Sequence, residues 1–189
     1  IEADNDEHIA NNNSTQHDLA EIVDQVRASG KPLLIEEAAN ENGSYFIDTG
    51  VTSRIPSLRR FAIAGAAADI GAALLGSEQV RFFGDQIIVK TPGTREKTAF
   101  HQEATYFEID GDDCCVLWVP VDPVSQKNGM MYVRGSHKDG KLYKPNVFIS
   151  NASWPGSEGD DLPDVEANLD EDDVVGFDVE PGGVIVHHC

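Results

Sequence analysis

Basic residues are scarce in this chain. Lys and Arg together number 14 against 33 Asp and Glu, a formal net charge of −19. Phosphate backbones and anionic bilayers are held by basic surfaces, so neither nucleic acid nor a membrane is an expected partner. The surplus acid reads as a solubility device, with an acid-lined route for a cationic substrate as the alternative. Cysteine is scarce too: Cys114, Cys115 and Cys189 contain no Cys-x-x-Cys pair, which argues against a zinc ribbon. Cys114 and Cys115 are adjacent in an apolar run, so they face opposite sides of a strand and cannot bridge each other. Three reduced thiols and a cytoplasmic setting are the expectation. Long hydrophobic runs are missing. The longest, around residues 61–75, is interrupted by Gly65, Asp69 and Gly71, so no segment reads as a membrane span. The acidic, polar first ten residues do not read as a signal peptide. There is no Gly-x-Ser-x-Gly elbow and no phosphate-cradling glycine loop before a helix, which argues against serine hydrolase and P-loop chemistry. No internal repeat is found.

What is present is enough for one domain. At 189 residues and 40% hydrophobic content the chain can bury roughly 70% of its unfolded surface. Residues 1–17, polar and aperiodic, read as a loose end. Asp18 and Glu21 form a capping-box pattern, Leu19, Ile22, Val23 and Val26 share one helical face, and Gly30 closes that helix. Segments 32–36 and 44–48 are short strand candidates. Ser57 is placed to cap a second helix over 58–75, Ala-rich and stopped by Gly76. Residues 18–76 thus form a helical flank. From residue 77 to 189 the pattern turns to strands: 80–91, 98–109, 114–120, 130–133, 147–149, 174–179 and 184–188 are rich in β-branched and aromatic residues and bounded by turn formers. Asn128-Gly129 is the clearest turn signal. Short strands without helices between them predict a mainly β fold with flanking α-helices, an antiparallel sandwich or jelly roll. The acidic stretch 151–173, with Pro155 and Pro163, reads as a long surface loop or lid.

The chemistry concentrates at Phe100-His101-Gln102-Glu103. On a strand, positions i and i+2 face the same side, so His101 and Glu103 aim an imidazole and a carboxylate at one point. A facial iron(II) site needs such a pair plus one further histidine. His-x-Glu alone is weak, since a polar strand edge gives the same pattern. The surrounding blocks carry more: Trp118, Asn128-Gly129, the strand 130–133, the corner Gly135-Ser136-His137-Lys138, the upstream run 87–93 and the late run 181–188.

In order and spacing these blocks resemble the phytanoyl-CoA dioxygenase family over roughly residues 80–189. The resemblance implies a double-stranded β-helix, a cupin-like jelly roll. It implies Fe(II) as cofactor, 2-oxoglutarate as cosubstrate, and molecular oxygen and a small organic molecule as substrates. The reaction implied couples decarboxylation of 2-oxoglutarate to succinate with hydroxylation of a C–H bond. His101 and Glu103 match two metal ligands, Gln102 and Trp118 match positions at the cosubstrate pocket, and Lys90 could face a cosubstrate carboxylate; core packing or solvent would equally explain Trp118 and Lys90. Two departures stand out. Glu103 occupies a position where the family usually has Asp; it keeps the charge, adds a methylene, and argues against a halogenase. The late run places His188 at the family's first, non-ligand histidine, so the distal ligand and the arginine for 2-oxoglutarate are expected beyond Cys189. Otherwise His187 or His188 substitutes, one of the two pointing inward, with His188 the candidate taken here. His137 reads as a structural turn histidine, and His8 and His17 as solvated. The rivals are a non-catalytic jelly-roll binding protein and a cupin-type metalloenzyme that does not use 2-oxoglutarate. A cupin would present more than one histidine on its first metal strand.

Overall fold

The computed structural model describes residues 28, 35–40, 43–107, 109–168 and 173–189. The expected loose end 1–17 and the helix begun at Asp18 lie outside the described residues, except Ala28, which is helical. The described chain divides into two compact units that meet in sequence between Lys97 and Thr98.

The first unit is a three-stranded antiparallel sheet followed in part by helices. Strands β1 (Ile35–Asn40), β2 (Gly43–Thr49) and β3 (Gln86–Lys90) lie in the order β1-β2-β3. The central position of β2 explains why Tyr45, Phe46, Ile47 and Asp48 are all buried: both faces of a middle strand are covered, so its sequence does not alternate. Phe46, Val51 and Ile55 form its core, with Leu58, Ile87 and Val89 against them. The stretch 80–91 yields a shorter ladder than its composition predicts, and 32–36 shifts to β1.

The single helix expected over 58–75 is two: α1 (Pro56–Ala64) and α2 (Ala67–Leu75). Gly65 leaves the helical region at φ −96°, ψ −172° and breaks the run. The start also moves. Pro56 occupies the first turn, where its missing N–H costs nothing, so Ile55 and not Ser57 is the N-cap. The stop at Gly76 is as expected: its φ of 61° suits a residue without Cβ, and its N–H bonds Ala72 O.

Asp48 is wholly buried on β2, and Arg54 Nη2 holds its Oδ2 at 2.8 Å while also bonding Thr49 O at 3.0 Å. Among the described residues Asp48 Oδ1 has no hydrogen-bond partner. A buried carboxylate depends on its counter-charge, so Arg54→Ala is expected to cost about 3 to 5 kcal/mol. A urea titration checks this, and the loss exceeds that of substitutions at exposed arginines such as Arg60.

The second unit holds β4 (Cys115–Trp118), β5 (Met131–Val133), β6 (Val174–Gly176) and β7 (Ile185–His188). β4 pairs antiparallel with β7, and β5 with β6. The Asn128-Gly129 turn forms as read, with both N–H groups on Ser125 O at 2.9 Å. Three expectations fail here. Segment 98–109 makes no ladder among its described residues; it is extended at Gln102 and then turns through a 3₁₀ helix, Glu103–Tyr106. Segment 147–149 is a turn, with Ser150 N–H on Val147 O. And the thiols are not all free: Cys114 and Cys189 form a disulfide with Cα atoms 5.9 Å apart. The β4–β7 register explains the bridge. Cys115 sits opposite His188, so the next pair along the ladder is Cys114 and Cys189. Residues 151–168 of the acidic loop are largely irregular, with a short helix, α3 (Val165–Asn168), and isolated bridges Asn146–Ser153 and Tyr143–Asp160. Among the described residues no helix is long and apolar enough to cross a membrane. The result is a β-rich fold of small sheets with a few helices.

Candidate metal centre

The site is built on the extended stretch that precedes the 3₁₀ turn. Gln102 has φ −104°, ψ 125°, so its neighbours His101 and Glu103 still project to one side although no ladder holds them. Side chains replace the missing ladder. Gln102 Nε2 donates to Lys141 O at 3.0 Å, and its Oε1 accepts from Tyr143 N–H at 2.8 Å. The buried Asn146 donates from Nδ2 to Phe100 O at 2.8 Å, and Ala99 N–H donates to Phe148 O at 2.7 Å. Tyr106 closes the clamp: its hydroxyl donates to Asn146 O at 2.7 Å and accepts from Asn146 N–H at 3.0 Å.

His101 is held from three sides. Its ring meets Tyr106 and Phe148 edge-on, with centroids 5.4 and 5.1 Å away. Its Nδ1 lies 2.8 Å from Ala99 O. A carbonyl only accepts, so Nδ1 carries the proton, and in the neutral ring Nε2 keeps its lone pair. That nitrogen is 3.7 Å from Glu103 Oε1. From the opposite side His187 Nε2 reaches the same oxygen at 3.1 Å, and Tyr132 Oη lies 3.0 Å from His187 Nδ1. Two imidazoles therefore converge on one carboxylate oxygen.

Burial alone would raise the Glu103 carboxyl, but the nearby His101 ring and the hydrogen bond from His187, with their charge, outweigh it and bring the pKa down to about 2. Burial pulls His101 down, while the neighbouring Glu103 carboxylate and the bond to Ala99 O raise it on balance. Burial, then the Glu103 charge, pushes the Tyr132 hydroxyl up to about 12.

The remaining residues expected at the site lie as follows. His188 does not face Glu103; it is exposed, with Nε2 2.6 Å from Asp112 O and Nδ1 3.0 Å from Cys189 O. The reason is strand alternation: β7 turns its odd position, His187, toward Glu103 and its even one away. Trp118 ends β4 opposite Ile185, two residues from the Val116–His187 pair, and so shares the face of His187. Gln102 has both ends of its amide committed to the clamp. Lys90 lies in the other unit, its Nζ 5.1 Å above the Tyr45 ring of the neighbouring strand. His137 is exposed in a 3₁₀ turn. Tyr132 escaped the sequence reading, because an apolar strand with one tyrosine carries no metal-site signal. A cavity of about 250 Å³ opens beside His187, lined by Tyr132, Val175, Phe177, Ile185 and Val186.

The donor set suits iron(II). Two imidazole nitrogens and one carboxylate are the ligands of a facial site with open positions. Neighbouring ligands bonded at right angles lie about 3 Å apart, close to the 3.1 Å His187–Glu103 edge and shorter than the 3.7 Å His101–Glu103 edge. As the side chains stand, no three His, Cys, Asp or Glu among the described residues form a ready cage. The His187–Glu103 contact is a direct hydrogen bond, and an ion would have to take the place of its proton.

The model of the phytanoyl-CoA dioxygenase family matches residues 3–189. The chain belongs to that family. It is also 25% identical over 118 residues to a phytanoyl-CoA dioxygenase of Arabidopsis thaliana, an alignment covering 62% of this chain and 39% of that relative. The chain thus spans well under two thirds of that relative's length. No solved structure matches it.

The Glu103 cluster sets a pH signature for the metal-free protein. Glu103 is depressed from 4.5 to about 2, so its contribution is full above pH 4.5 and is lost as pH falls toward 2. His101 is raised from 6.5, so its contribution is full below that value and is lost as pH rises beyond it. Both are present between pH 4.5 and 6.5. With chelator present, Glu103→Gln is expected to remove about 2 kcal/mol in that window. Urea midpoints measured against pH should then flatten in the variant, and parallel profiles would contradict the assignment.

Proposed function

We propose that the protein is an Fe(II)- and 2-oxoglutarate-dependent dioxygenase that hydroxylates a small organic substrate. The observation that carries this reading is the convergence of His101 and His187 on Glu103 in a chain of this family. Iron(II) held by His101, Glu103 and His187 would supply the centre at which oxygen and the keto acid react. The protein's own part is positional. The clamp from 141–148 fixes His101, and the Ala99 carbonyl keeps the Nε2 lone pair turned inward. The apolar cavity beside His187 gives a small substrate a place near the ligands. Trp118, on the face of His187, is proposed at the cosubstrate pocket. The antiparallel β4–β7 and β5–β6 pairs support a jelly roll as the frame. The cytoplasmic setting expected from the cysteines now stands against the Cys114–Cys189 bridge.

One observation favours a rival. The direct His187–Glu103 hydrogen bond is also what a family member that binds a small molecule without metal would keep. Calorimetric titration with Fe(II) under anaerobic conditions separates the two. The oxygenase reading predicts one bound ion, with affinity lost in His101→Ala; unchanged affinity in that variant, or no binding by the parent chain, contradicts it.

A further inference from the structure

His187 has one proton to place when its ring is neutral, and two neighbours compete to decide where it goes. Glu103, a carboxylate, only accepts; it lies 3.1 Å from Nε2. Tyr132, a phenol, both donates and accepts; its Oη lies 3.0 Å from Nδ1, with the rings tilted at 58° and centroids 5.4 Å apart. We propose that Tyr132 is a positioning residue that orients the His187 ring and pairs its Nδ1 whether or not that nitrogen carries the proton. This rests on the metal-centre reading above for its role in ion binding, but not for its effect on the ring.

Without an ion, one arrangement satisfies every group. His187 Nε2–H donates to Glu103, and Nδ1 accepts the Tyr132 hydroxyl proton. When Nε2 must offer its lone pair, the ring proton moves to Nδ1 and needs an acceptor there. The Tyr132 oxygen supplies it by rotation of its hydroxyl alone, with no movement of heavy atoms. A phenol thus serves both states of the ring, and phenylalanine serves neither. Partners of this kind behind a ligating histidine typically change metal affinity about 10- to 100-fold.

The placement is structural as well as chemical. Tyr132 stands on β5, opposite Val175 of β6, and His187 on β7, opposite Val116 of β4. The bond therefore ties the β5–β6 sheet to the β4–β7 sheet at the point where the two sheets approach Glu103. Tyr132 and His187 also border the same cavity.

The test compares the parent chain with Tyr132→Phe by ¹⁵N NMR of the imidazole nitrogens, and by titration with Zn(II) as a diamagnetic probe. In the metal-free protein the Nδ1 resonance of His187 is expected to shift in Tyr132→Phe. That of His101, whose Nδ1 faces Ala99 O, is expected to stay. Zn(II) affinity is expected to fall about 10- to 100-fold. An unmoved His187 signal, or equal shifts at both histidines, overturns the proposal, and so does unchanged Zn(II) affinity. If the parent chain takes up no Zn(II) or Fe(II), the metal-centre reading falls, and the metal-free His187 shift still decides the role of Tyr132. Should Tyr132→Phe fail to fold, 3-fluorotyrosine at position 132 keeps the phenol while strengthening its donation. It is expected to move the same His187 signal, and no movement overturns the proposal.

Discussion

A single carboxylate oxygen, Glu103 Oε1, organises the candidate centre. Two imidazoles reach it from chain segments more than 80 positions apart, one preceding a 3₁₀ turn and one on β7. Its charge is stabilised by both rings, and together they outweigh the cost of burying it. Remove that charge and the inward-facing Nε2 of each imidazole loses its anionic neighbour. The geometry around it is therefore electrostatic first and steric second. The aromatic rings of Tyr106 and Phe148 hold His101 where the carboxylate requires it.

The surrounding chain solves a specific problem. Without a ladder, the backbone anchors residues 99–106 through the Ala99 N–H to Phe148 O bond. Gln102 and Asn146 act as substitute ladder rungs, pairing their amides with backbone groups as a neighbouring strand would. The Tyr106 hydroxyl adds a third rung by bonding the backbone of Asn146 on both sides. Each amide pairs both its nitrogen and its oxygen, Gln102 with Lys141 O and Tyr143 N–H, Asn146 with Phe100 O and the Tyr106 hydroxyl.

Much of this was legible in the sequence, for identifiable reasons. His101 and Glu103 sit at i and i+2, and any extended backbone turns such a pair to one side, so their convergence survives the loss of the expected strand. The Gly76 stop and the Asn128-Gly129 turn follow from local chemistry and appear as read. What failed depends on partners far along the chain. Nothing local tells Thr98 to Ile109 that its rungs will be side chains. Gly65 looked tolerable within an Ala-rich helix, yet the backbone breaks there. The adjacent pair Cys114 and Cys115 hid the bridge, because the partner is fixed only by the β4–β7 register. The same register chose His187 over His188. Alternation required one of the two to face inward, but its parity depends on pairing that the sequence does not display.

The most direct test of the account is a crystal of the chain grown anaerobically with Fe(II), with anomalous diffraction collected at the iron edge. The account predicts one peak within bonding distance of His101 Nε2, Glu103 and His187 Nε2, with the His187–Glu103 hydrogen bond broken. Iron bound at other carboxylates, or a His187–Glu103 bond left intact in the presence of iron, would contradict it.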